Sequence, residues 1–349
     1  MITGGAGFIG SALVRQLLRD TAAHVCTVDV LTYAGNLDAL AEVLPSDRHS
    51  FHRADIGDAE AMAGIFAAFR PDCVMHLAAE THVDRSIDRP LDFVRANLVG
   101  TATLLEAATA HWRALAGEDR ARFRFLHVST DEVFGSAGPA GSFDEASGYD
   151  PRSPYAATKA GSDHLVRAWH HTYGLPAVIT NCSNNFGPFQ FPDKLIPRTI
   201  VRALRGETLQ VYGDGANVRD WLYVDDHAGA LRLIMDGGRD GETYCIGGSG
   251  ERSNLQVVEA VCAEMDRQRP RADGQSYLTQ LEFVADRPGH DFRYAVNAGK
   301  LIRELGWRPS ESFESGIART VRWNLDNEEW WRGMTEGSYR GERLGLGHA

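Results

Sequence analysis

Tyr155 and Lys159 stand four residues apart in Tyr155-Ala156-Ala157-Thr158-Lys159, directly after Ser153-Pro154. Serine followed by proline marks a helix start, with Ser153 as N-cap and Pro154 at the first helical position. Positions i and i+4 share one helix face, so the phenol and the ammonium can reach the same ligand. The ammonium and the positive end of the helix dipole both favour a phenolate. The pattern therefore predicts a Tyr155 acidified below its reference of about 10 and acting as a general base. Thr130-Asp131-Glu132 follow a strand-like stretch that ends in Ser129-Thr130. Two adjacent carboxylates can divide acid and base work if their surroundings push their pKa values apart. Taken alone, the pair reads more readily as an acidic turn.

A second constellation opens the chain: Thr3-Gly4-Gly5-Ala6-Gly7-Phe8-Ile9-Gly10. Gly4 permits a tight strand-to-helix turn. Gly7, followed by Phe8 and Ile9, lets backbone N–H groups approach a pyrophosphate at a helix N-terminus. Gly10 lets helix and strand pack closely. The next strand ends in Asp29, a carboxylate suited to the two ribose hydroxyls of NAD and repulsive to the extra phosphate of NADP. Asp55-Ile56 and Leu77-Ala78-Ala79-Glu80-Thr81 end the third and fourth strands, and their small residues leave room for an extended ligand along that edge.

The elements that must carry these groups alternate. Strand-like stretches at 23–30, 50–56, 72–78 and 122–130 are separated by helix-period stretches at 8–19, 59–69 and 91–114. This predicts an α/β fold, a Rossmann-type doubly wound parallel sheet. After a helix from Pro154 and a strand at 175–181, Gly187-Pro188, Pro192 and Pro197 break the rhythm, and a last aromatic-rich helix is expected at 313–331. We expect an NAD-binding domain over 1–182, rejoined by part of 220–250, and a smaller interleaved C-terminal α/β substrate-binding domain over 183–349. The ligand belongs between them, at the C-terminal ends of the strands. A buried strand normally needs about five residues. Met1-Ile2-Thr3 is shorter, so either a start assigned late or residues before Met1 are expected.

Composition narrows the partners. A net charge of -11 speaks against a nucleic-acid binder. No apolar run reaches the roughly 18 residues of a membrane span, and no leader pattern opens the chain. The five cysteines are scattered without CxxC or Cys/His clusters, so neither a disulfide framework nor a metal site is expected, and a reduced cytoplasmic setting fits. Lysine occurs only at 159, 194 and 300 among 36 basic residues. Lysines kept against that bias are candidates for compact charges that a guanidinium cannot replace. His170-His171 reads as solvated surface, and Trp323, Trp330 and Trp331 as packing.

Together the glycine turn, 31–36 (LTYAGN), 77–87 (LAAETHVDRSI), 129–134 (STDEVF), 153–159 (SPYAATK), 181–197 (NCSNNFGPFQFPDKLIP), 213–221 (GDGANVRDW), 286–291 (DRPGHD) and 339–346 (YRGERLGL) closely resemble the dTDP-glucose 4,6-dehydratase family. These are extended short-chain dehydrogenases/reductases acting on nucleotide sugars, and the resemblance covers almost the whole chain. It implies NAD as cofactor, a dTDP-sugar as substrate, and a homodimer built through a bundle of the 91–114 and 153–173 helices, with Leu98, Leu104, Leu105, Leu165 and Trp169 as candidate contacts. It implies that Tyr155 takes the proton of the C4 hydroxyl while hydride leaves C4, with Lys159 beside it and Thr130 bonded to the same oxygen. Glu132 then removes the C5 proton and Asp131, kept protonated, releases the C6 hydroxyl as water. Asn185 matches a position that touches NAD. Thr81, Thr130, Asn184, Lys194, Leu195, Tyr212, Arg219, Asn254, Arg287 and His290 match substrate positions. Ala12, Ala96, Phe134 and Phe186 depart from the family's usual His, Thr, Tyr and Tyr.

Overall fold

The computed structural model describes residues 1–138, 140–286 and 290–336. Arg287 and the 339–346 motif lie outside the described residues. Six strands, β1 (Ile2–Thr3), β2 (Val25–Asp29), β3 (His49–Arg53), β4 (Cys73–His76), β5 (Arg124–Thr130) and β6 (Ala177–Cys182), join a seventh, Thr243–Ile246, in one sheet. The order is Thr243–Ile246, β6, β5, β4, β1, β2, β3, and every pairing is parallel. β2 is buried throughout, as expected of a strand covered on both faces. β1 has only two residues, yet it pairs with both β2 and β4. Chain order runs one way from β1 to β3 and the other way from β4 onward. That reversal at β1 leaves a crevice at the carboxyl ends of the strands.

One face of the sheet is covered by α1 (Phe8–Asp20) and the helix Val224–Gly237, whose Leu13, Val14, Leu231 and Ile234 are buried together. The other is covered by α2 (Ala59–Phe69) and the helices Gly100–Ala114 and Pro154–Tyr173. A separate core, with Ile196, Ile200, Val257, Val261, Ile317 and Val321, holds the C-terminal lobe. That lobe adds parallel strand pairs such as Leu209–Tyr212 with Leu281–Val284.

Two expected helices are broken. The 91–114 stretch consists of a turn at Pro90–Phe93, a wide π-helical turn at Val94–Val99, and the α-helix Gly100–Ala114. The wide turn buries Asn97, whose amide donates to Glu80 O (3.0 Å) and Thr158 Oγ1 (2.9 Å) while its oxygen accepts from Glu80 N (2.9 Å). The 313–331 stretch divides at Asn327, which donates its side-chain amide to Trp323 O. It forms Phe313–Asp326 and Glu328–Glu336. Trp323 and Trp330 pack on Phe189, and Trp331 is buried, so this group is packing, as expected.

Candidate active site

A cleft of about 940 Å³ follows the C-terminal edge of the sheet from the glycine turn into the C-terminal lobe. Its first end is shaped by absent side chains. Gly4 has φ +70°, and a Cβ there would sit 2.6 Å from the Ala78 amide nitrogen. A Cβ on Gly10 would come within 2.1 Å of Gly4 O. Gly7 is the N-cap of α1 and offers no side chain in front of the helix dipole. Gly4, Gly7, Phe8, Ile9 and Gly10 all line the cleft. Asp29 lines it too, its carboxylate accepting from the Ala6 and Leu31 amides at 3.0 and 2.8 Å. Burial holds Asp29 above its ordinary pKa, partly offset by those two hydrogen bonds. Asp55, Ile56, Leu77, Ala78, Ala79 and Thr81 continue the wall. Gly100 belongs to this wall from behind, since a Cβ there would press on Ile56 Cδ1 at 2.9 Å.

The middle of the cleft gathers Thr130, Glu132, Tyr155, Lys159, Asn184 and Asn185. The helix Pro154–Tyr173 starts where expected, with Ser153 Oγ accepting from Ala156 N. Lys159 donates to Val128 O at 2.9 Å. The expected acidification of Tyr155 is not found. Burial, then the charge of Glu132, hold the phenol well above its ordinary pKa, with the neighbouring Thr130 hydroxyl opposing. Lys159 is itself lowered by burial, against the charge of Asp163.

Asp131 is placed differently from its neighbours. It is 2 % exposed and is not part of the cleft wall. Thr130 Oγ1, which is on the wall, donates to Asp131 Oδ1 at 3.3 Å and accepts from Glu132 N at 3.2 Å. Burial, then the charges of Glu132 and Asp220, hold Asp131 well above the usual carboxylate range. The two adjacent acids therefore have separate environments, one facing the cleft and one sealed behind a hydroxyl.

The far end is basic. Lys194, Arg198, Arg202 and Arg219 line it together with Leu195, Tyr212, Asn254 and His290. Arg219 is aimed by hydrogen bonds to Val218 O and Asp291 O and stacks on Tyr294 at 4.2 Å. Lys194, at the N-cap of the helix Leu195–Leu204, and Arg198 and Arg202 follow one another every four residues, a periodicity legible in the sequence. Such a set suits a diphosphate. Tyr33 and Phe191 were also missed; their rings meet edge to face at 5.3 Å across the cofactor end. Among the described residues no group of His, Cys, Asp or Glu is arranged to hold a metal ion.

A glycine-rich turn at the switch point of a parallel sheet and a Tyr-x-x-x-Lys helix beside it define a short-chain dehydrogenase/reductase. The chain belongs to the GDP-mannose 4,6-dehydratase family, whose profile matches residues 1–320. It is 54% identical to the dTDP-glucose 4,6-dehydratase of Neisseria meningitidis, with 99% of each chain covered, and 52% identical to one from Escherichia coli over 99% of each. Among solved structures, the dTDP-glucose 4,6-dehydratase of Streptomyces venezuelae, with NAD and dTDP bound, has a TM-score of 0.87 at 46% identity, covering 95% of this chain and 98% of that one. The NAD complex of UDP-glucose 4-epimerase from Thermus thermophilus has a TM-score of 0.81 at 29% identity, covering 93% and 98%.

Proposed function

We propose that the protein is an NAD-dependent dTDP-glucose 4,6-dehydratase, converting dTDP-glucose to dTDP-4-keto-6-deoxy-glucose and water. The observation that carries this reading is the separated acid pair: one carboxylate on the cleft wall, one sealed behind Thr130 with its pKa pushed up by burial and by Glu132, both beside Tyr155. Simple oxidation or 4-epimerisation needs neither acid; elimination across C5 and C6 needs both.

The glycine end fits a dinucleotide, because Gly4, Gly7 and Gly10 leave backbone N–H groups open to a pyrophosphate and Asp29 faces the cleft. NAD⁺ held there supplies the hydride acceptor for C4 and the donor for C6. Tyr155 takes the proton from the C4 oxygen, and Thr130 Oγ1 hydrogen-bonds that oxygen. The Lys159 ammonium offsets the burial and the Glu132 charge that oppose a phenolate. With C4 a ketone, the C5 proton is acidic, and Glu132 removes it. With its hydrogen turned to the substrate, the Thr130 hydroxyl passes that proton to the C6 oxygen, which leaves as water, and takes the Asp131 proton in its place. Glu132 returns a proton to C5.

Lys194, Arg198, Arg202 and Arg219 would take the diphosphate, with Asn184, Leu195, Tyr212, Asn254 and His290 around the nucleotide. We assign cofactor binding to 1–182 with the returning part of 220–250, and nucleotide-sugar binding mainly to 183–349. A homodimer is supported by exposed apolar groups on the 91–114 stretch, where Leu91 and Val99 are 64% and 54% exposed. Leu98, Leu165 and Trp169 are half-buried, and Leu165 and Trp169 pack against the chain's own core. Leu104 and Leu105, expected at that contact, are instead wholly buried in the chain's own core. No described helix is long and apolar enough to cross a membrane, and the five cysteines are free. The test is incubation with dTDP-glucose and mass detection of the loss of one water; unchanged substrate would refute the proposal.

A further inference from the structure

The reaction above leaves one buried set of ionisable groups without a task. Asp163 lies one helical turn beyond Lys159 on the same helix, and His127 lies two residues before Ser129 on β5. The side chains of Asp163 and His127 have no exposure at all. His127 Nε2 is 3.2 Å from Asp163 Oδ1 and 3.5 Å from Lys159 Nζ, so one imidazole nitrogen is within reach of both charges. The other carboxylate oxygen is held from three further sides. Ser129 Oγ donates at 2.9 Å, Tyr149 OH at 2.8 Å and Asn181 Nδ2 at 3.3 Å. A carboxylate this well supplied with donors, sealed from water, is built to be an anion, and the nearby cation is the lysine of the catalytic pair.

We propose that Asp163, the carboxylate facing Lys159 across the edge of His127, is a positioning residue that keeps the catalytic ammonium charged and fixed in direction beside Tyr155. This rests on the dehydratase reading for its consequence in turnover, but not for its geometry. Lys159 has one strong hydrogen bond of its own, to Val128 O, which carries no charge. A wholly buried ammonium with only a carbonyl partner tends to lose its proton.

The groups around the pair agree. On its own helix Lys159 has Tyr155 and Asp163. From β5 comes His127, pushed down to about 4 by burial and then by Lys159, hence neutral near pH 7. From β6 comes the Cys182 thiol, pushed up to about 12 by burial and then by Asp131, hence also neutral. From β4, His76 lies tilted against His127, ring centroids 5.1 Å apart, and is held far below its ordinary value by burial, so it adds no charge. Burial opposes ionisation of Asp163, yet His127, Lys159 and the Tyr149 hydroxyl hold it below its ordinary pKa. Arg167 donates to Tyr149 OH on the outer side. Asp163 is thus the anion facing Lys159 from this cluster.

The sequence makes the test direct, because the chain has three lysines. In the NAD-loaded enzyme carrying lysine labelled with ¹³C at Cε, three signals are expected, and Lys194→Arg and Lys300→Arg spectra identify the third as Lys159. Nearby opposite charges move a pKa by about one or more pH units. Asp163→Asn should therefore lower the pH at which Lys159 titrates by at least that much. The alkaline limb of kcat should move down with it, so that activity on that limb falls about tenfold. His127→Gln should move both in the same direction by less, and Asp163→Glu, which keeps the charge, should restore them. If Asp163→Asn fails to fold, the titration in His127→Gln decides. A Lys159 titration and an alkaline limb unchanged in both variants would overturn the inference, as would a folded Asp163→Glu that behaves like Asp163→Asn. A wild-type enzyme that leaves dTDP-glucose unchanged would overturn the proposed function instead, while the lysine titration would still judge the role of Asp163.

Discussion

Replacing Asp131 by Asn should change stability and activity in opposite directions. The wild-type carboxyl is sealed, its Oδ2 is buried without a hydrogen-bond partner, and its pKa is held well above the ordinary range by burial and by Glu132 and Asp220. A carboxyl whose folded pKa exceeds its unfolded value binds its proton more tightly when folded. It therefore destabilises the fold progressively as pH rises above the unfolded value of about 3.9. An amide of the same size has no such dependence. Asp131→Asn should be more stable than wild type near pH 8, by about 0.5–2 kcal/mol, the usual gain when a destabilising active-site group is replaced. The difference should shrink as pH falls toward 4. The same variant cannot deliver a proton to the departing C6 hydroxyl, so kcat should fall about a hundred- to ten-thousand-fold. That corresponds to about 3–5 kcal/mol of transition-state stabilisation. Differential scanning calorimetry across pH, paired with steady-state turnover, measures both. A variant less stable than wild type at pH 8, with the deficit closing toward acid, would mean that Asp131 is ionised in the fold. A wild-type rate would mean that it is not the acid.

Glu132→Gln keeps the shape of the wall but cannot accept the C5 proton; it should form enzyme-bound NADH, seen by its absorbance, while releasing little product. Tyr155→Phe should suppress the NADH signal itself, and an equal NADH signal in both variants would contradict the division of roles. Gly10→Ala forces a Cβ against Gly4 O and should cost about 1–3 kcal/mol in thermal stability together with loss of cofactor on purification; a fully NAD-loaded, unperturbed variant would refute the tight-turn argument. Arg198→Ala should raise KM for dTDP-glucose with kcat little changed, since Arg198 lines the basic end and lies away from Tyr155 and Glu132; a fall in kcat alone would place it elsewhere in the reaction.

The parts of the site legible in the sequence were those where residue type itself reports geometry. Gly4 and Gly10 are glycines because backbone occupies the place of a Cβ, and the four-residue spacing of Tyr155 and Lys159 fixes a shared helix face. The basic end was legible in principle at Lys194, Arg198 and Arg202 by the same periodicity. Properties set by neighbours distant in sequence were not. The helical period runs without interruption through 94–99, and the wide turn there follows from Asn97 reaching Glu80 and Thr158. The four-residue spacing of Tyr155 and Lys159 and the helix start predict an acidified phenol, whereas burial and the facing Glu132 are tertiary facts. Asp131 and Glu132 are neighbours in the chain, and only the turn capped by Thr130 sends one to the wall and the other behind it.

Elimination with internal hydride return is tested most directly with dTDP-glucose carrying deuterium at C4. The account predicts a product lighter by one water, with the deuterium kept in the same molecule and found at C6. A product of unchanged mass with deuterium still at C4, as an epimerase would give, or a dehydrated product that has lost the label, would contradict it.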